Sequence, residues 1–159
     1  MNKIDLKNRL ELLYCKSLES NDYTYFVAID AIKSIYGINL EALNDNLIGW
    51  LDKYISDEEK PDNSISENPD KSIKEAISYF SLEESILKKD LKKSIDNVFQ
   101  LSTVSEGTQI FEFLLELSLT NCSSNYRYIW HIYRLNLFFN NKYLLKGLYK
   151  CIEIIINDE

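Results

Sequence analysis

A chain of 159 residues, 45% hydrophobic and 27% charged, has the make-up of a soluble globular protein and can bury a core without metals or disulfides. Four glycines and two prolines argue against turn-rich sandwiches and barrels, and three cysteines with no CxxC or Cys/His ligand spacing argue against a zinc site. The net charge of −7 repels a nucleic acid at long range.

Ile4, Leu6, Leu10, Leu13, Tyr14 and Leu18 recur at three- and four-residue steps and predict a helix over 2–19. Asp22 is placed to cap a second helix, 23–36, with Phe26, Ile29, Ile32 and Tyr36 as its stripe and Gly37 at its end. A third helix is expected over 40–55, with Leu40, Leu43, Leu47, Trp50, Leu51 and Tyr54 inward; Gly49 inside it would suit a close helix crossing. Residues 56–70 hold both prolines, six acids and one apolar residue, which predicts an exposed acidic loop.

Asp70 would cap a short helix, 71–80, with Phe80 inward. Two capping-box matches follow, Ser81–Glu84 and Thr103–Glu106. They open helices expected over 82–100 (Ile86, Leu87, Leu91, Ile95, Val98 and Phe99 inward) and 105–120, the latter apolar nearly all round and so central. Glu84 and Lys88 stand in the favourable i,i+4 order. Helices over 126–139 and 142–156 complete an all-α, single-domain antiparallel bundle of seven or eight helices spanning 1–159, with 105–120 and 126–139 at its centre. The β-branched tail at 152–156 has no partner hairpin and stays helical in this reading.

Charges interrupt the apolar run that a secretory leader would need in MNKIDLKNRLELL, and no apolar stretch reaches membrane-spanning length. A cytoplasmic protein with reduced thiols at Cys15, Cys122 and Cys151 is expected.

Charge is distributed unevenly. Residues 57–70 carry six acids and one base; 101–120 carry three acids and no base; 121–152 carry five bases and no acid. Tyr126–Phe139 joins six aromatic residues to the only histidine, His131, and to Arg127 and Arg134. Lys142, Lys146 and Lys150 follow at i,i+4 steps. Bases among exposed rings suit single-stranded nucleic acid, whereas buried rings with a solvated lysine face are purely structural, as would be pairing of those bases with Glu106, Glu112 and Glu116. Glu112 and Glu116, one turn apart, could form a buried acid pair or metal ligands, but the Glu-x-x-His motifs of di-iron bundles are missing. Phosphate-binding loops and dinucleotide fingerprints are missing too. No cofactor or metal is expected.

Arg127 and His131 resemble the arginine–histidine pair of HEPN ribonucleases, small all-α proteins that attack RNA; the spacer here, Tyr128-Ile129-Trp130, is shorter than that family's. In composition and in the acidic tract DEEKPDNSISENPD, the chain is similar to small immunity proteins of bacterial polymorphic toxin systems. That resemblance implies a non-enzymatic inhibitor of a basic toxin domain, often a nuclease, acting by active-site occlusion. Asp57, Glu58, Glu59, Asp62 and Glu67 would be its partner-binding residues, with no direct contact to nucleic acid or membrane. Phage-encoded inhibitors of nucleic-acid defence systems share the same physical profile.

Overall fold

A computed structural model of the chain describes residues 3–36, 46, 49–50, 53, 78–121 and 124–158. Among them are seven α-helices and no strand: α1 (Lys3–Glu19), α2 (Thr24–Tyr36), α3 (Tyr79–Leu87), α4 (Leu91–Ser102), α5 (Gly107–Thr120), α6 (Tyr126–Phe138) and α7 (Leu144–Ile156). The all-α expectation holds, with successive helices packed antiparallel within each of the units described below. Two compact units are distinguished, Met1–Ser64 and Ile65–Glu159.

In the first unit α1 packs against α2. Within the predicted stripes, Leu6, Leu10, Leu13, Tyr14 and Leu18 on α1 and Phe26, Ile29 and Ile32 on α2 are buried, and the rings of Tyr14 and Phe26 lie edge to face at 6.0 Å. Asp22 accepts from the backbone N–H of Thr24 (2.9 Å) at the start of α2, the role its position predicts. Asp30 is buried on α2 and ion-pairs with Lys33 one turn on. Gly37, the expected stop of the second helix, most of the predicted 40–55 helix, the 56–70 loop, and the Asp70 cap with residues 71–77 of the predicted 71–80 helix lie outside the described residues. Trp50, expected inward, is exposed, and a Cβ built on Gly49 meets no atom within 4 Å, so no close crossing among the described residues accounts for that glycine.

The second unit is organised around α7, which packs against α3, α4, α5 and α6. Gly147, Leu148, Cys151, Ile152, Ile154, Ile155 and Ile156 are all buried on it. The chain-terminal helix, rather than 105–120, is therefore the hub: its isoleucine run leaves almost no polar face to turn to water. Lys150 is buried as well, at 3% exposure, and pairs with Glu153 at 2.9 Å. It does not share the solvated face of Lys142 and Lys146, because α7 is surrounded at that level and the lysine stem is covered by neighbours.

Between α3 and α4 the structure departs from the single helix expected over 82–100. Helix α3 begins at Tyr79, because Ser78 rather than Ser81 is the N-cap; its hydroxyl accepts from the Ser81 amide at 3.1 Å. The helix ends at Leu87, with Lys88 as its C-cap. Lys89 adopts a left-handed conformation (φ 55°), and two backbone bonds close the end, Lys89 N to Ile86 O at 2.9 Å and Asp90 N to Ser85 O at 3.0 Å. That pairing is the Schellman stop. Asp90 then caps α4 by accepting from Lys93 N (3.0 Å). The two short helices are tied by buried polar groups: Ser94 Oγ donates to Ser85 Oγ (3.0 Å), and Asn97 Nδ2 to the Ser81 carbonyl (2.9 Å). Phe80 and Leu87, both expected inward, lie on the outer face, 72% and 59% exposed.

The second capping box is not formed. Thr103 turns back to donate to Gln100 O (2.7 Å), Glu106 makes no capping bond, and α5 starts at Gly107. Gly107 sits at a close approach: a Cβ there would run into the Leu144 side chain at the start of α7. Helix α6 closes on a second Schellman stop, Asn140 N to Leu137 O (3.1 Å) and Asn141 N to Asn136 O (2.8 Å), with Asn140 at φ 54°. Asparagine tolerates that region better than most side chains, which suits the Asn140-Asn141 break. Residues 144–156 are helical throughout, as expected.

Candidate functional site

Helix α5 buries Ile110, Phe111, Leu114 and Leu117 against α4, α6 and α7. Those positions follow the helical repeat, and the opposite side consequently faces outward. Gln109, Glu112 and Glu116 lie on that side at i, i+3 and i+7, all exposed, with Phe113 half-buried between them. The ring of Phe113 meets that of Tyr79, at the first turn of α3, with centroids 4.9 Å apart and planes at 55°. Tyr79, Gln109, Glu112, Phe113 and Glu116 together line an open groove of about 280 Å³. Two rings form its apolar part, two carboxylates and an amide its polar part.

The charge of this groove is not offset internally. Among the described residues, Glu106, Glu112 and Glu116 take part in no ion pair. The alternative in which they pair with Arg127, Arg134, Lys142, Lys146 and Lys150 is thus not realised, and Lys150 is engaged by Glu153 instead. Glu112 and Glu116 are exposed, so they are not a buried acid pair. No group of three or more His, Cys, Asp or Glu side chains suited to a metal ion occurs among the described residues. The phenol oxygen of Tyr79 is buried and has no hydrogen-bond partner there. By contrast, the exposed Glu84 carboxylate is held below its usual pKa by its hydrogen bond and charge attraction to Lys88 (2.6 Å), the i,i+4 pair read from sequence.

Arg127 and His131 are not brought into this groove. Arg127 leans back on its neighbour, donating to the Tyr128 hydroxyl (2.9 Å) with its guanidinium 4.8 Å from the Tyr128 ring. His131 is half-buried. The aromatic stretch divides between core and surface: Tyr128 and Phe139 are buried, whereas Tyr126 and Trp130 are 44% and 42% exposed. Buried Cys151 has its thiol pKa raised well above the usual range by desolvation, which makes it an inert core side chain.

The sequence-predicted contacts Asp57, Glu58, Glu59, Asp62 and Glu67 lie outside the described residues. What the sequence reading passed over is Tyr79, Gln109 and Phe113 as companions of Glu112 and Glu116. The signal was present as three acids and no base within 101–120, but reading that helix as apolar all round concealed its outer face. No helix among the described residues is long and apolar enough to cross a membrane. Comparison with protein-family models, curated proteins and solved structures finds no match to this chain.

Proposed function

We propose that this chain is a non-enzymatic inhibitor that binds a basic protein, as small bacterial immunity proteins do, and neutralises a toxin domain such as a nuclease by covering its active site. The observation that carries the reading is the outer face of α5, where Glu106, Glu112 and Glu116 are exposed and make no ion pair among the described residues. Solvating faces commonly mix both signs of charge; a face of one sign builds a field that steers an oppositely charged partner. Such steering lifts association from roughly 10⁵–10⁶ to as much as 10⁸–10⁹ M⁻¹s⁻¹ at low salt. In this reading Asp57, Glu58, Glu59, Asp62 and Glu67 add to the same field, and Arg127 and His131 perform no catalysis.

The test is to express the proteins encoded by the reading frames beside this chain's own and to follow association with any basic domain among them by stopped-flow fluorescence at several salt concentrations; no association with any of them would also refute the proposal. Glu112→Gln/Glu116→Gln, and separately neutralisation of the five acids at 57–67, should each slow association, with the loss shrinking as salt rises. The Arg127→Ala/His131→Ala protein should inhibit as well as the wild type. Association indifferent to salt and to both sets of acids would refute the proposal.

A further inference from the structure

Resting on the binding reading above, we infer that the groove formed by Tyr79, Gln109, Glu112, Phe113 and Glu116 receives an arginine side chain of the basic partner. At about 280 Å³ the groove falls just below the roughly 300–1,000 Å³ of sites that enclose a whole small molecule. It is open along one side, the shape a side chain entering from another surface requires.

Its chemistry selects among cations. Calcium takes six to eight oxygens, more than two carboxylates and an amide offer, and no group of three or more His, Cys, Asp or Glu suited to a metal ion occurs among the described residues. A lysine ammonium is a compact, strongly hydrated point charge and gains little from an aromatic floor. A guanidinium is planar and weakly hydrated, stacks on rings, and presents five N–H donors in a fork. Both of its needs are met here. The tilted rings of Tyr79 and Phe113 offer the apolar seat. Glu112 and Glu116, one helical turn apart and without ion pairs among the described residues, offer acceptors, and the Gln109 side-chain carbonyl adds another. Carboxylates beside rings place charge and cation–π attraction on the same ligand group.

The experiment is a ¹H–¹⁵N NMR titration of the full chain with N-acetylarginine amide, N-acetyllysine amide and N-acetylcitrulline amide, the last isosteric with arginine but uncharged. Saturating shifts centred on Tyr79 and on Gln109 to Glu116 are expected with the arginine compound, smaller ones with lysine and none with citrulline. Glu112→Gln/Glu116→Gln should weaken arginine binding by about tenfold or more, the usual order for losing charge-assisted hydrogen bonds. Both positions are exposed, and an unchanged near-ultraviolet circular dichroism spectrum verifies their fold. Phe113→Leu keeps both carboxylates and should erase the preference for arginine over lysine. Equal response to arginine and lysine, or shifts scattered over acids elsewhere, overturns the inference. If arginine does not seat here while partner association still slows on neutralising the acids, this inference falls alone; if association is indifferent as well, both fall.

Discussion

Replacing Lys89 with glycine should stabilise the protein. Lys89 occupies the residue after the end of α3 with φ 55°, where its Cβ crowds the backbone. The chain accepts this because the stop is closed on both sides, by Lys89 N to Ile86 O and Asp90 N to Ser85 O, and because Asp90 must start α4 at once. A left-handed L-residue costs about 1–2 kcal/mol, and glycine's greater freedom in the unfolded chain takes back about 0.5–1 kcal/mol. The net gain is about 0.5–1 kcal/mol. For a cooperative unit of this size that amounts to a rise in Tm of roughly 2–8 °C.

The assay is thermal and urea unfolding followed by circular dichroism, with Lys89→Ala as the control. Alanine removes the exposed charge but keeps the Cβ, so it should leave Tm near that of wild type. A glycine variant no more stable than wild type, or an alanine variant that gains as much as glycine, would refute the reasoning, since the gain would then owe nothing to backbone strain.

Asp90→Ala should cost about 0.5–2 kcal/mol by removing the carboxylate that accepts from Lys93 N, whereas Glu106→Ala, at an N-cap with no side-chain bond, should shift the urea midpoint little. In a Cys122→Ser background at pH 8, a thiol reagent should label half-exposed Cys15 in the native state and buried Cys151 only after denaturant is added, as read by mass spectrometry. Burial raises the Cys151 pKa in the folded state, so the unfolded chain loses that proton first. Stability should therefore be full below about pH 8.5 and decline as pH climbs from there toward the folded value, and Cys151→Ala should flatten that decline.

The helices with a clean stripe were legible before any coordinates: α1, α2, α6 and α7 fall within a residue or two of their expected spans. The boundary within 82–100 was not, because Lys88-Lys89-Asp90 contains neither glycine nor proline; its turn is set by backbone bonds that any residue can make. Ser81 and Thr103 show why capping boxes mislead: the pattern names residues able to cap, while the choice between Ser78 and Ser81 depends on where the apolar side of α3 lies against α7. Burial was harder than helicity. Lys150 looks like a surface lysine in the i,i+4 series with Lys142 and Lys146 until α7 is seen to be enclosed. Of the candidate site, the acids of α5 could be read from charge counts, but Tyr79 reaches Phe113 only through tertiary packing.

The position of α7 also explains why α5 keeps an exposed face. A helix apolar nearly all round would be expected at the centre, but α7 holds that place, and α5 turns Phe113 partly and Leu119 largely (51% exposed) toward water. Apolar side chains exposed on a charged face bring no gain to folding. They are tolerated at contact surfaces, where a ring supplies buried area and surrounding charges set partner and register. If the acids of α5 served only to keep that face soluble, bases on the same face would serve as well and would pair with them. Their absence over 101–120 leaves acids of one sign beside an aromatic floor, the pair of features on which the proposed binding of a cationic side chain rests.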